Sequence, residues 1–146
     1  MEIRALRPLP AGLLQPLVEE STREGYRFLQ RLEREYDAGQ LRCDGPGEVL
    51  LGVFEGPELI AVGGVSRDPY GGAADTGRIR HVYVRAAHRR RAVGRRLIAA
   101  LEAHARGCFS ALVLRTDTEA AARFYRELGY RPLPPGGSAT HRRELS

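Results

Sequence analysis

Five arginines fall within nine residues, His88-Arg89-Arg90-Arg91-Ala92-Val93-Gly94-Arg95-Arg96. The stretch joins an apolar run, "RIRHVYV", to an amphipathic one, "LIAALEAHA". A strand that passes through a loop into a helix leaves the first-turn N–H groups without partners. The helix dipole adds about half a positive charge at the same end. Such an end takes phosphate without special side chains. Gly94 has no side chain and lets a ligand approach the backbone. Arg89, Arg90, Arg91, Arg95 and Arg96 add long-range attraction and charge-assisted hydrogen bonds. Together these features describe a pyrophosphate site. On charge alone, a solvated basic loop is the alternative. A duplex-binding helix would continue its basic residues along one face. Here the helix turns apolar and then acidic at Glu102, which suits a compact anion better.

The remaining composition narrows the classes. The chain has 146 residues and a net charge of +5, the size of one domain, 1–146. All its basic residues apart from histidine are arginine, and lysine, asparagine and tryptophan are absent. That usage fits a codon bias, so the basic pI argues little for nucleic acid; no nucleic-acid partner is expected. No apolar run approaches the ~20 residues a membrane span needs. "MEIRALRPLP" lacks the apolar centre of a secretory signal. No membrane partner and a cytoplasmic location are therefore expected. Cys43 and Cys108 belong to no CxxC pair and have no histidine at ligand spacing. Both read as reduced thiols, and no metal is expected.

The elements that must position the arginine loop follow from period and punctuation. Glu2–Arg7 is a first strand, ended by Pro8 and Pro10. Ala11–Glu20 reads as a helix through Leu13, Leu14, Leu17 and Val18. Ser21-Thr22-Arg23-Glu24 matches a capping box. It opens a second helix to about Tyr36, burying Tyr26, Leu29 and Leu32 or their neighbours. Glu48–Phe54 and Leu59–Ser66 form a hairpin across "EGPE". A loop, "RDPYGGAADTG", leads to a strand at Ile79–Val84. The arginine loop then opens a helix with Leu97, Ile98, Leu101 and Ala105 on one face, ended by Gly107. Ala111–Arg115 is a short buried strand. Thr116-Asp117-Thr118-Glu119 reads as a second capping box. The helix after it buries Ala121, Phe124, Tyr125 and Leu128 and stops at Gly129. Tyr130–Leu133 and Thr140–Leu145 close the sheet. This order implies an α/β fold with a mixed sheet.

Two motifs then carry a resemblance. "HVYVRAAHRRRAVGRRLIAALEAHA" resembles the cofactor motif of the GNAT N-acetyltransferase family, Arg/Gln-x-x-Gly-x-Gly/Ala, which falls here on Arg89 to Gly94. Ala92 stands at the motif's first glycine and, as alanine, is expected to keep a negative φ. "TEAAARFYRELGY" resembles the family's later motif, Asn-x-x-Ala-x-x-x-Tyr-x-x-x-Gly-Phe/Tyr. Ala121, Tyr125, Gly129 and Tyr130 fit it, with Thr118 in place of asparagine. The resemblance spans roughly residues 48–133 and identifies the chain as a bacterial member of that family.

The resemblance implies a central mixed sheet of six to seven strands, four flanking helices, and a splayed pair of parallel strands forming the cofactor cleft. It implies acetyl-CoA as cosubstrate and transfer of its acetyl group to a primary amine of a small molecule or peptide. The cofactor residues it implies are Val82, Tyr83, Val84, Arg89, Arg90, Arg91, Ala92, Val93, Gly94, Arg95, Thr118 and Tyr125. The strand contributes through its backbone, with the N–H near Val82 as an oxyanion donor. Tyr125 is implied as the general acid for the leaving thiolate; on helical spacing alone it reads as core. Many relatives carry a glutamate base where this chain has Arg78, which cannot take a proton at neutral pH. Asp75, Asp68, Glu24 and His81 are the other candidates. Strand alternation puts His81 on the face opposite Arg78, Arg80 and Val82. Glu20, Glu24, Glu33, Glu35 and Asp37 on one side, and Arg78, Arg142 and Arg143 on the other, would meet the acceptor. The alternative is a catalytically impaired acetyl-CoA-binding sensor or partner module of the same fold. An exposed edge strand near the C-terminus would allow two chains to pair as a homodimer.

Overall fold

The computed structural model describes residues 1–41, 43–71 and 73–145. Seven strands form one sheet in the order β1-β2-β3-β4-β5-β7-β6. They are β1 (Glu2–Ala5), β2 (Val49–Glu55), β3 (Glu58–Arg67), β4 (Thr76–Val84), β5 (Ala111–Leu114), β6 (Arg131–Pro132) and β7 (His141–Glu144). The helices are α1 (Gln15–Arg23), α2 (Phe28–Asp37), α3 (Val93–Ala105) and α4 (Glu119–Glu127). Every pairing is antiparallel except β4 with β5. A mixed sheet results because α3 carries the chain back over the sheet between those two strands, which a tight turn cannot do. Of the expected loop before β4, Gly72 lies outside the described residues.

Each face has its own core. On one, α3 and α4 bury Leu97, Ile98, Leu101 and Tyr125 with Val53, Ile79, Leu112 and Leu114. On the other, α1 and α2 bury Leu14, Leu17, Leu29 and Leu32 with Leu50, Phe54, Val62 and Tyr83. The second core contains no residue of β5, β6 or β7. So α1 and α2 roof only the β1–β4 half of their face.

Two local expectations are corrected. Ser21 does not cap α2: it lies inside α1 and its Oγ donates to Val18 O at 3.1 Å. The break comes at Gly25, φ +94°, where a side chain would be strained. Four residues on, Leu29 begins α2's buried stripe, while Tyr26 stays exposed. The cap of α4 is Thr118, whose Oγ1 accepts from Ala121 N at 3.1 Å, and not Thr116. Glu119 pairs instead with Arg126 at 2.8 Å. The C-terminal edge strand, β6, has two residues and ends in Pro132, which offers no N–H for pairing.

Candidate active site

The parallel pair opens. β4 meets β5 only at Thr76↔Ala111, Gly77↔Leu112 and Arg78↔Val113, although β4 runs on to Val84. Arg85 N donates to Ile60 O at 2.9 Å on the β3 side. Backbone alternation therefore turns the polar groups of Val84 and Val82 away from β3, towards the gap. Val84 O takes one bond there, from Arg89 Nε at 3.0 Å.

A β-bulge sits in the same stretch of β4. Val62 pairs with Tyr83 but Gly64 with Arg80, leaving His81 and Val82 opposite Gly63. His81 is left-handed at φ +61°. The extra residue resets the side-chain alternation. Val82 now packs on the α3 face, where a Cβ on Gly63 would meet Val82 Cγ2 at 3.3 Å and Leu97 Cδ2 at 3.1 Å. The His81 ring lies towards α2, beside Phe28, Arg31 and Arg80. That overturns the expected placement: His81 shares the face of Arg80 and Arg78, and Val82 takes the other. Both ring nitrogens are buried without a hydrogen bond of good geometry among the described residues. Burial first, then the Arg80 and Arg31 charges, push its pKa from 6.5 down to about 4.

The arginine loop presents free donors from its backbone. After a short 3-10 turn at Ala86–His88, Arg90 and Ala92 adopt φ +64° and +62°. Alternating right- and left-handed residues turn successive N–H groups to one side, making an anion-binding concavity. α3 has no side-chain cap. Its first backbone donor is Arg96 N, to Ala92 O at 3.0 Å; the Val93, Gly94 and Arg95 amides precede it and have no intrahelical acceptor. The expectation that Ala92 keeps a negative φ is wrong. The loop imposes the left-handed form despite the Cβ, at a cost of about 1–2 kcal/mol. Gly94 also serves a second close approach, between helices. A Cβ there would stand 3.3 Å from Phe124 Cζ and 3.6 Å from Val84 Cγ2, so its bareness lets α3 and α4 close together.

The arginines divide by partner. Arg91 pairs with Glu55 at 3.2 Å. Arg89 is turned off the loop: Glu24 holds it at 2.8 and 3.1 Å, and it lies 5.4 Å over the Tyr83 ring. Tyr83 OH in turn donates towards Glu20 Oε2 at 2.6 Å and Glu24 Oε1 at 2.7 Å. Glu20 also accepts from Ala86 N at 2.8 Å and Arg85 Nε at 3.2 Å. This clamp ties α1 to the loop and commits the Tyr83 side chain to it, while the Tyr83 backbone pairs with Val62 of β3. Desolvation opposes ionisation of Glu20, yet the Tyr83, Ala86 and Arg85 hydrogen bonds together hold its carboxyl below the usual range. Arg89 does the same for Glu24. Nothing in the local sequence pattern announces this clamp, since its members are about sixty residues apart.

Tyr125 is buried, edge-on to Phe124 at 5.0 Å and Tyr130 at 5.6 Å. Burial alone raises its pKa, with no charge or hydrogen bond contributing. Thr118 is spent on capping α4. Arg78 is buried: its Nε donates to Asp68 Oδ1 at 3.1 Å, its Nη2 to Ser138 O at 2.9 Å, and Tyr70 covers it at 4.6 Å. Asp75 accepts from the Ser110 hydroxyl at the far end of β4. Arg143 does not face the acceptor side; it reaches Glu102 of α3 at 2.9 Å, where Tyr130 OH also donates at 2.7 Å. Among the described residues there is no cluster of three or more His, Cys, Asp or Glu that could hold a metal ion, and no helix is long and apolar enough to cross a membrane.

The model of the acetyltransferase (GNAT) family matches residues 14–130. No curated protein matches the sequence. Among solved structures, a protein of Exiguobacterium sp. 255-15 assigned as an acetyltransferase superposes with TM-score 0.86 at 28% identity, over 98% of this chain and 92% of that one. An aminoglycoside 6'-N-acetyltransferase complexed with coenzyme A gives 0.74 at 14% identity, over 100% and 98%. The yncA protein of Salmonella typhimurium, assigned as an acetyltransferase and solved with acetyl-CoA, gives 0.71 at 19% identity, over 100% and 94%. The last two likenesses are of fold.

Proposed function

Because this chain belongs to the GNAT acetyltransferase family, with that family's mixed sheet and opened parallel pair, we propose that it is an acetyl-CoA-dependent N-acetyltransferase acting on a primary amine, as one domain over 1–146 in the cytoplasm. The observation that carries this is the row of unpaired amides before Arg96, set at the mouth of a sheet that parts beyond Arg78. Diphosphate matches those donors, and an extended amide chain matches the gap-facing backbone of Val82 and of Val84, where Arg89 Nε now holds Val84 O. When bound, acetyl-CoA supplies an acetyl thioester.

The chain's own groups divide the remaining work. The Val93, Gly94 and Arg95 amides hold the diphosphate, with Arg90, Arg95 and Arg96 adding charge. The Val82 amide points into the gap and is suited to stabilise a developing oxyanion. Tyr125 carries its proton at neutral pH and gives it to the leaving thiolate; burial raises its pKa and so weakens it as an acid in the empty site. Asp68 and Glu24 are each held by a guanidinium. The amine's proton therefore leaves to water, from an acceptor that attacks in its neutral form.

Thiol release with a panel of amines tests the reaction, and the rise in Tm on adding CoA tests binding. Tyr125→Phe should lower kcat about 10²-fold or more, the usual scale for a general acid, with the CoA-induced rise in Tm intact. Unchanged turnover removes Tyr125 from the mechanism. The buried Arg78–Asp68 pair at the position of the expected base favours a second reading, a binding module without catalysis. Stabilisation by CoA with no thiol release from any amine would select it.

A further inference from the structure

Beyond Arg78 and Val113, where β4 and β5 part, the next residues on the same face are Arg80 and Arg115. Side chains two apart share a face of a strand. Arg80 leans towards α2, with Glu35 at 3.9 Å, and Leu112 and Leu114 occupy the α3 side of β5, which leaves Val113 on the α2 side; Arg115, just past the strand, reaches Gly137 O at 3.5 Å, next to the Ser138 carbonyl that Arg78 holds. One guanidinium therefore stands on each lip of the opening, on the face away from α3. No core residue of α1 or α2 reaches β5 here. The face is framed instead by the β3–β4 and β6–β7 loops, which Arg78 joins through Asp68 and Ser138.

The arginines around this opening differ in how firmly they are held. Arg78 is buried against Asp68, with side-chain exposures of 5% and 7%. Its donors are committed to the two loops. Among the described residues Arg80 has one ion-pair partner, Glu35 at 3.9 Å, and 22% of its side chain is exposed. Arg115 is 55% exposed, with Asp117 at 3.4 Å and the Gly137 carbonyl at 3.5 Å. An exposed pair such as Arg115–Asp117 is worth about 0–1 kcal/mol, and the partly buried Arg80–Glu35 contact is long at 3.9 Å. A carboxylate taken bidentately by either guanidinium exchanges a weak partner for a strong one.

Resting on the transferase reading above, we propose that the acceptor is an amine carrying a carboxylate a few bonds from its nitrogen, as in an amino acid, and that Arg80 and Arg115 grip that carboxylate across the opening. The acid group is then anchored at the lips of the gap while the amine faces inward to the thioester. The same guanidiniums disfavour polycationic amines by like charge. Selectivity thus comes from β4 and β5 themselves and not from α1 and α2, whose Glu20 and Glu24 are occupied by the clamp with Tyr83, Arg85 and Arg89.

The test uses CoA-saturated protein and a panel of α- and β-amino acids, each beside its amide, with a polyamine as the cationic control. Tm shifts report binding, and thiol release from acetyl-CoA reports turnover. Acids should raise Tm and react; their amides and the polyamine should do neither. Arg80→Gln and Arg115→Gln should each raise KM for the acid about 10-fold or more, the scale of a lost charge-assisted hydrogen bond, with kcat within about twofold. Both variants should keep the full CoA-induced rise in Tm, which shows that they are folded. Equal response to amides, preference for the polyamine, no response to any acid, or unchanged KM in both variants overturns the inference. A wild-type protein whose Tm ignores CoA would instead sink the transferase reading, and this inference with it.

Discussion

Acid should unfold this protein through one residue on β4. His81 is buried, and neither ring nitrogen has a hydrogen bond of good geometry among the described residues. Its pKa falls from 6.5 to about 4 by burial and by the neighbouring Arg80 and Arg31 charges. The unfolded chain therefore takes up a proton that the folded chain refuses, between pH 6.5 and 4. In that window the unfolded state binds more protons, so stability falls as pH falls. The contribution is full above pH 6.5, and the whole gap amounts to about 3 kcal/mol at about 1.4 kcal/mol per pH unit. From pH 7.5 to pH 5 the loss is about 2 kcal/mol, or about 6 °C in Tm for a chain of this size. Asparagine tolerates the left-handed backbone at this position and does not titrate, which makes His81→Asn the control. Urea melts of both proteins at pH 7.5, 6 and 5 give the difference directly, since other groups, His141 among them, contribute to both alike. Wild type should lose about 2 kcal/mol more than the variant by pH 5. Parallel curves would show that His81 is either protonated in the fold or exposed, and would refute the reasoning.

Other expectations come from backbone and contacts. Ala92→Gly relieves the left-handed strain of about 1–2 kcal/mol but loosens the unfolded chain by about 0.4–1 kcal/mol; calorimetry should show a small rise in Tm, with CoA binding kept. Tyr83→Phe removes the hydroxyl that Glu20 and Glu24 share; chemical denaturation should register a loss of about 1–3 kcal/mol, and hydrogen exchange should rise in α1. Gly77→Ala would place a Cβ 2.8 Å from Leu112 Cδ2 and from Phe109 Cδ2. Overpacking there should cost about 1–3 kcal/mol by the same melts, at the last rungs that hold β4 to β5.

Much of this fold is written locally. The hairpin across residues 55–58 lies where its turn residues place it, and the α3 stripe of Leu97, Ile98, Leu101 and Ala105 is buried as its spacing requires. Gly107 and Gly129 follow the ends of α3 and α4 with φ of +90° and +99°. The capping boxes at Ser21 and Thr116 misled because a Ser or Thr with a Glu three later fits inside a helix or one residue pair early just as well. Propensity cannot tell these apart when burial of Leu17 and Ser21 on one side, and the Thr118 cap on the other, decide the ends.

The candidate site divides in the same way. Sequence alone located the start of α3 behind the arginines, because amides, dipole and arginines all belong to one continuous segment. Tertiary structure decided everything that depends on a neighbour: the bulge that turns His81 towards α2 and Val82 towards α3, the left-handed Ala92, the capture of Arg89 by Glu24, and the burial of Arg78 under Tyr70. A side chain's residue type sets what it can bond, but its partner is chosen by strands and helices that meet only after the chain has folded. For that reason the chemistry of the loop could be read residue by residue, while the lips of the opening, at Arg80 and Arg115, are defined only by how β4 and β5 lie in the sheet.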